Sequence, residues 1–244
     1  MERTPVTMIE EHRVFSAPAS VFYIPDFISP GEERTLLEQI SRTPGPRWTQ
    51  LAARRLQNWG GVPHPKGMIA ETLPPWLQVI LCRRHSSHLI SYPQLYVDKV
   101  NSYKVFGENI AANHVLLNEY QPGQGIMPHL DGPMFHPTIS TISLGSTTVI
   151  DFYSEATEDE SLKFEDRLVT SLLVEPRSLL VLKDDMYQKY LHGIEEREED
   201  MISDKICNLH DPSVIGQTFP RTTRVSLTIR HVPNTSKLKF KFGK

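Results

Sequence analysis

The second half of the chain is a close succession of short segments that are rich in β-branched residues and separated by turn signals. Segments of this kind predict β-strands that pack as a sandwich or a barrel. The expected strands are residues 114–120, 138–144, 147–153, 168–175, 178–183, 187–191 and 222–232. We therefore expect a mainly β protein whose strand-rich core occupies residues 114–232.

The N-terminal part of the chain predicts helices. Ser29 and Glu32 stand at the spacing of a capping box, with Pro30 at the first helical position. Residues 1–20 carry little pattern and are expected to be a loosely ordered lead-in. The other elements expected in this half are a strand at 21–24, a helix at 32–41, and a second helix that begins at 74–75 and resumes at 96–103.

Length and composition set the outer limits. The chain has 244 residues, enough for one large domain, which we place at 21–232. Lys and Arg number 26 against 29 Asp and Glu, a formal net charge of −3, so any nucleic-acid contact must be local. The two cysteines do not suggest a disulfide framework. No apolar run approaches a membrane span, and we expect a monomer in the cytoplasm and nucleus.

The motif His129-x-Asp131 follows strand 114–120 and a turn. Alternate residues of a strand project to one face, so this imidazole and this carboxylate are expected side by side. A third ligand has to come from another strand, and His192, after the apolar segment 187–191, is the candidate. Two histidines and a carboxylate that leave open coordination positions are typical of non-haem Fe(II) centres.

A second pattern predicts an anion site. In the stretch 224–232, the side chains of Arg224, Ser226, Thr228 and Arg230 alternate with apolar residues and share one face. Two guanidinium groups on a half-buried face need an anion, and arginine suits bidentate recognition of a carboxylate.

Together with Asn118-x-Tyr120, these motifs resemble those of the AlkB-like Fe(II)/2-oxoglutarate dioxygenases. The resemblance extends through Leu56-Gln-Asn-Trp-Gly-Gly61 and Leu73-Pro-Pro-Trp-Leu77 to residues 138–145, and covers residues 22–232. It implies a double-stranded β-helix (jelly roll) core preceded by N-terminal helices and a lid region within 21–113. Residues 79–95 interrupt the family pattern and are interpreted as an insert.

The resemblance also implies the cofactors and their ligands. Fe(II) would be held by His129, Asp131 and His192. The cosubstrate 2-oxoglutarate would place its far carboxylate on Arg224, with O2 as the other reactant. Further contacts to 2-oxoglutarate would come from Asn118, Tyr120, Ser226 and Arg230. The activity implied is the oxidative demethylation of an alkylated nucleic acid.

The lid is the expected contact to DNA or RNA. This segment interleaves aromatic side chains, which can stack on bases, with cationic ones, which can contact phosphates, namely Trp48, Arg54, Arg55 and Trp59. The alternative is that both tryptophans belong to the core and the cations to a solvated face. Cys82, His85 and His88 in the insert lack a second ligand pair for zinc.

Three further segments are expected to lie outside the packed core. The acidic loops 154–167 and 195–220 are expected to be disordered, with a lid or a partner site as the alternatives. Residues 233–244 form a basic tail that is expected to be a solubilising end, with a contact to a phosphate backbone as the alternative.

The substrate stays open at this point. In relatives that repair alkylated bases, acidic residues follow the metal aspartate, whereas here Asp131 is followed by Gly132 and Pro133. Two alternatives therefore stand beside nucleic-acid demethylation. One is a protein demethylase or hydroxylase, and the other is a nucleic-acid or protein binding module with weak or no turnover.

Overall fold

The computed structural model describes residues 8–18, 20–78, 96–155 and 163–236. As predicted, the protein is mainly β. Its fifteen described strands are β1 Val21–Ile24, β2 Thr49–Gln50, β3 Arg55–Trp59, β4 Met68–Ile69, β5 His114–Tyr120, β6 Ile126–His129, β7 Thr138–Leu144, β8 Thr148–Ser154, β9 Leu168–Val174, β10 Leu179–Lys183, β11 Tyr190–Ile194, β12 Glu199–Met201, β13 Thr218–Pro220, β14 Arg224–Arg230 and β15 Thr235–Ser236.

Three α-helices and four 3-10 helices accompany these strands in the described ranges. The α-helices are α1 Pro30–Ser41, α2 Tyr96–Ser102 and α3 Asp184–Gln188, and the 3-10 helices are Met8–His12, Gly45–Arg47, Phe164–Arg167 and Pro212–Val214. No helix in the described part of the chain is both long and apolar enough to cross a membrane.

Two facing sheets form the predicted jelly roll. The larger has seven strands in the order β1-β10-β7-β14-β5-β3-β2, and the smaller has four in the order β6-β11-β8-β9. One apolar cluster, which includes Tyr120, Phe152 and Leu180, draws its side chains from both sheets. A second cluster joins the larger sheet to α1 and α2, with Leu36, Val97 and Leu227 among its members. Both faces of the larger sheet are therefore covered.

Strand β14 shows the effect of this double covering. It lies in the middle of the larger sheet, between β7 and β5, and all seven of its residues are buried. Val225 and its alternate neighbours pack towards the helices. Arg224 and its alternate neighbours line a cavity on the opposite face. The predicted division of the two faces is present, but the polar face is fully buried instead of half-buried.

Helix α1 begins at the predicted capping box. The Glu32 backbone N–H donates to Ser29 Oγ at 3.2 Å, and the Ser29 N–H donates to Glu32 Oε2 at 2.7 Å. Each bond satisfies an amide that the helix itself leaves free, and a cap of this kind stabilises a helix by about 1 kcal/mol. Leu36 and Ile40 are the buried positions that anchor the helix to the larger sheet.

Two local assignments are wrong. The segment 187–191 was expected to be a strand, but Tyr187 belongs to α3 and the strand begins only at Tyr190. Asp184 and Asp185 occupy the first turn of α3, where acidic side chains suit the helix dipole, and Met186 is fully buried. The helix expected from residues 74–75 is a turn over the described residues 74–78.

The segment 195–220 is ordered, contrary to expectation. Ile202 and Ile206 pack with Val149 as a third apolar cluster against the smaller sheet. The carboxylate of Asp200, which is buried, accepts hydrogen bonds from Arg221. A pattern based on acidic composition could not detect these pairings, because they join residues that are distant in sequence.

The expectations for the remaining segments are met only in part. Met8–His12 forms a 3-10 helix with Ile9 buried in the core, so part of the lead-in is anchored to the fold. Thr235–Ser236, at the start of the predicted tail, pairs in parallel with Met68–Ile69. The predicted insert 79–95, with its cysteine and histidines, lies outside the described residues, as do residues 156–162 of loop 154–167 and residues 237–244.

Candidate metal centre and cosubstrate cavity

The three predicted metal ligands lie together in the structure. His129 ends β6 and is the cross-strand partner of His192 in β11. Asp131 completes the group, and the candidate ligand atoms of the three side chains all lie within 4.8 Å of one another. Residues 63 positions apart in sequence are thus joined by the antiparallel register of the smaller sheet.

The close approach of β6 and β11 depends on a glycine beside the second histidine. A Cβ atom at Gly193 would lie 2.8 Å from Pro128 Cγ and 2.9 Å from the Pro128 nitrogen. Real Cβ atoms essentially never come that close, so a larger residue would push the two strands apart. Gly193 therefore helps to set the separation of His129 and His192.

Asp131 reaches the site in a different way from the one predicted. β6 ends at His129, so strand alternation does not orient the carboxylate. Gly132 and Pro133 follow at once, and Pro133 has no N–H with which to extend the ladder. Instead, Arg230 Nη2 donates to Asp131 Oδ1 at 2.8 Å, and Nε donates to Oδ2 at 3.1 Å. This ion pair holds the carboxylate in place.

The same ion pair adds to the role expected of Arg230, which also lines the cavity described below. Two nitrogens of its guanidinium bind Asp131, and its predicted contact with 2-oxoglutarate stays a prediction. Both side chains are buried, and the ring of Phe135 lies 4.5 Å from the guanidinium carbon. Each carboxylate oxygen has two lone pairs, so Asp131 retains acceptor capacity for a metal ion.

Both imidazoles can present a neutral nitrogen to a metal. His129 Nδ1 lies 2.8 Å from the Met127 carbonyl oxygen, and donation of its proton there leaves Nε2 with a free lone pair. Burial lowers the pKa of His192 to about 4, so this side chain is neutral at physiological pH. Two neutral imidazoles and one carboxylate suit Fe(II) and leave room for other ligands.

Arg224, on the same strand as Arg230, has an unsatisfied charge. Its Nη2 donates to Ser143 Oγ at 2.9 Å, while the buried Nε has no hydrogen-bond partner. No carboxylate in the described ranges lies within ion-pair distance of it, and burial lowers the pKa of the guanidinium to about 10. A buried cation without a partner costs several kcal/mol, which favours an anion bound at this place.

One cavity of about 310 Å³ joins Arg224 to the three candidate metal ligands. Asn118, Tyr120 and Ser226, all predicted to contact the cosubstrate, also line this cavity. Burial raises the pKa of Tyr120, so its hydroxyl stays protonated and can donate a hydrogen bond. The donors, the guanidinium and the triad together fit a small dicarboxylate that also reaches a metal ion.

The predicted lid residues are not arranged as a set of base-stacking rings. The Arg55 guanidinium lies 4.0 Å from the Trp48 ring and also binds Glu119. Arg47 lies in the same way 4.2 Å from the ring of Trp59, and both tryptophans pack against the apolar core. The chain itself thus partly covers these rings, as the alternative interpretation expected of the tryptophans, whereas the cations are not simply a solvated face. Of the four residues, only Arg54 lines the cavity.

Sequence reasoning missed Ser143 and Phe135. Ser143 is the partner of Ser226 across the β7–β14 register, which places its hydroxyl beside Arg224. Phe135 lies in the loop that follows Asp131 and stacks against Arg230. Neither residue type signals a site by itself, and only the pairing of strands could have indicated their positions.

Comparison with known proteins defines the class. The family described as the 2OG-Fe(II) oxygenase superfamily matches residues 20–230, and the chain belongs to this family. The protein is therefore an Fe(II)- and 2-oxoglutarate-dependent dioxygenase, as the motifs predicted. The alternative of a binding module without turnover is not supported, because the triad and the anion site are both present in one cavity.

Individual relatives narrow the class. The chain is 49% identical over 243 residues to the "Probable RNA/DNA demethylase ALKBH6" of Danio rerio, a match that covers 98% of this chain and 97% of the relative. It is 28% identical over 215 residues to "Uncharacterized protein L905" of Acanthamoeba polyphaga mimivirus, covering 86% and 83% of the two chains. The identification as an AlkB-like enzyme is confirmed.

Solved structures support the fold. An oxidoreductase of the 2OG-Fe(II) oxygenase family from Burkholderia pseudomallei superposes with a TM-score of 0.52 at 11% identity, covering 94% of this chain and 93% of that chain. OsALKBH1 gives a TM-score of 0.50 at 13% identity, covering 86% and 97%. At such low identity the likeness concerns the jelly roll alone.

Proposed function

We propose that this enzyme oxidatively demethylates an alkylated nucleic acid, with Fe(II) held by His129, Asp131 and His192 and a carboxylate of 2-oxoglutarate held by Arg224. The observation that carries the site assignment is the unpaired guanidinium of Arg224 in the same cavity as the triad. A structural arginine would have its carboxylate within the protein, as Arg230 has. Arg224 instead offers its charge to a ligand.

The residues of the chain divide the work of this reaction. His129, Asp131 and His192 would hold the metal on one side and leave its other positions open. Arg224, with Ser226 and Tyr120 nearby, would orient the cosubstrate by hydrogen bonds to carboxylate oxygens. Phe135 covers the Arg230–Asp131 ion pair and keeps water away from it.

The bound cofactors supply the oxidising power: O2 and 2-oxoglutarate are converted to succinate and CO2 as one oxygen atom enters a substrate C–H bond. When that bond belongs to an N-methyl group, the hydroxymethyl product separates into formaldehyde and the demethylated nitrogen. The protein contributes position, charge and exclusion of water, since the hard chemistry belongs to the cofactors.

The charge of the cavity favours nucleic acid over methylated protein. Among its described lining residues, Arg54 carries a positive charge without an ion-pair partner, whereas Arg230 is paired with Asp131 and Arg224 is assigned to the cosubstrate. A methyl-lysine side chain is cationic and would be repelled there, whereas a polyanion would be attracted. The name of the Danio rerio relative, a probable RNA/DNA demethylase, supports the same substrate class.

The proposal is tested by asking which compound stimulates succinate release. Oligonucleotides of DNA and RNA would be compared in matched pairs, with and without a methylated base, next to methylated and unmethylated lysine peptides. We expect methylated nucleic acid to raise succinate formation and to yield formaldehyde in equal amount. Stimulation by methyl-lysine peptides alone would refute the substrate assignment.

Substitution of one metal ligand tests the metal site. His129→Ala is expected to lose metal binding and all succinate formation, because the remaining two ligands no longer enclose one side of the metal. Full activity of His129→Ala would contradict the ligand set. The monomeric state and the cytoplasmic and nuclear location stay predictions. Light scattering of the purified protein can check the first, and imaging of the tagged protein in cells can check the second.

A further inference from the structure

Arg54 stands apart from the other residues predicted for the lid. It precedes β3 in the hairpin that β2 and β3 form at one edge of the larger sheet. Its neighbour Arg55 binds Glu119, whereas Arg54 lines the cavity of the candidate metal centre. Arg54 Nε donates to Asn118 Oδ1 at 3.1 Å. Within the described ranges it has no ion-pair partner, so its terminal nitrogens can meet a ligand.

The strand register explains how Arg54 reaches this place. Arg55 is the cross-strand partner of Glu119, so Arg54 comes level with Tyr120. On the other side of β5, Arg224 is the cross-strand partner of Tyr120. Neighbouring strands lie about 4.8 Å apart, so the backbones at Arg54 and Arg224 flank Tyr120 at a separation of about 10 Å. Two guanidinium groups therefore line the same cavity from opposite sides of one tyrosine.

The hydrogen bond from Arg54 also orients the amide of Asn118. That side chain has an acceptor oxygen on one side and an NH2 group with two donors on the other. Because Oδ1 accepts from Arg54, the two donors of Nδ2 are turned away from it, and no described residue accepts from them. Asn118 lines the cavity, so these donors are available to an anion there.

We propose that Arg54 is a positioning residue of the cosubstrate site: it holds the Asn118 amide donors towards a carboxylate of 2-oxoglutarate and ties the β2–β3 hairpin to the bound cosubstrate. The inference rests on the proposed role of this cavity as the cosubstrate site. It moves Arg54 from direct substrate contact to the cosubstrate, and it makes the order of an edge hairpin depend on 2-oxoglutarate.

The first test measures affinity rather than turnover. The full-length protein, loaded with Mn(II) and kept free of oxygen, is titrated with 2-oxoglutarate by calorimetry. Loss of a hydrogen bond to a charged group corresponds to roughly a tenfold change in Kd, so Arg54→Ala is expected to weaken binding about tenfold. Arg54→Lys keeps the charge without the planar fork and should fall between Arg54→Ala and the wild type.

A matched control removes the same charge elsewhere. Arg42 is an exposed arginine after α1 whose side chain pairs only with exposed Glu38 among the described residues. Arg42→Gln is expected to leave the Kd for 2-oxoglutarate within about twofold, since surface charges are screened. An equal loss of affinity in Arg42→Gln and Arg54→Ala would overturn the positioning role.

A double-mutant cycle asks whether Arg54 acts through Asn118. In an Asn118→Ala background there is no amide to orient, so adding Arg54→Ala should weaken binding by less than about threefold. The same tenfold effect in both backgrounds would refute action through the amide.

Hydrogen exchange provides the second readout. Binding of 2-oxoglutarate is expected to slow exchange of the backbone amides of residues 49–59 in the wild type and to leave them unchanged in Arg54→Ala. A purely structural Arg54 would instead lower the melting temperature without any change in Kd, which would overturn the inference. If the wild type binds no 2-oxoglutarate, the proposed site itself fails. If the wild type binds it and Arg54→Ala binds it equally well, only the role of Arg54 fails.

Discussion

Two regions of this protein bury charge in opposite ways. On the outer side of the smaller sheet, Asp200 accepts two hydrogen bonds of 2.7 Å from Arg221 and one of 2.9 Å from Arg197. Between the sheets, Arg224 lies equally deep with a single bond to Ser143 and an unsatisfied Nε. The first region pairs its charge within the chain, and the second leaves its charge unpaired.

The difference distinguishes a buried charge that holds the fold together from a buried charge that binds a ligand. A buried carboxylate with two guanidinium partners holds a loop against the sheet, and it needs nothing from outside the protein. A buried guanidinium without a carboxylate destabilises the fold until an anion arrives, so its presence indicates a ligand site. Arg230 stands between the two cases, because it is paired within the chain but with a residue that would bind the metal.

The largest loss of stability is expected when the buried ion pair of Asp200 is broken. Asp200→Ala would leave Arg221 buried without its partner, so we expect a loss of about 3–5 kcal/mol in the free energy of unfolding. Urea denaturation measures this loss. The exposed Asp204 in the same segment provides the control, since Asp204→Ala should change stability by less than about 0.5 kcal/mol. Equal effects of the two substitutions would contradict the assigned role of Asp200.

Removal of the unpaired charge of Arg224 should not lower the stability of the protein. Arg224→Met removes an uncompensated cation, so the stability of the protein without cosubstrate is expected to be unchanged or higher. Affinity for 2-oxoglutarate should fall roughly 10- to 100-fold, because a charge-assisted hydrogen bond is lost. Thermal melts with and without 2-oxoglutarate check both statements. A large loss of stability in the absence of cosubstrate would show that Arg224 is structural.

His114 shows a third case, a buried base that is kept neutral. Burial, followed by the neighbouring charge of Arg230, lowers the pKa of His114 to about 3 in the folded protein from its usual 6.5. Between these values the unfolded chain binds a proton that the folded chain does not, so stability should fall as pH falls from about 6.5 towards 3. His114→Gln should show a shallower pH dependence in urea unfolding. An identical slope in both proteins would exclude this contribution.

Several features of the fold and of the site could be predicted because they are local. The capping box of α1 involves residues three positions apart, and the alternation in β14 separates Arg224 from Val225 within one strand. The triad was found through the expected strand alternation of His129-x-Asp131 and the resemblance to a known family, although β6 ends at His129 and alternation does not orient Asp131. The lid residues were placed less well, because whether Trp48 faces solvent or Arg55 depends on how the hairpin packs.

By itself, the sequence determined most strands of the two sheets, the alternation of faces in β14 and the chemistry of the ligand set, because backbone periodicity and side-chain type are properties of neighbouring residues. Only the tertiary structure decided which charges are paired and which charged groups meet a neutral hydrogen-bond partner. Asp131 with Arg230, Asp200 with Arg221 and Arg54 with Asn118 all join distant positions. Such pairs form only when the strand register brings their side chains within hydrogen-bonding distance, and no local pattern contains that distance.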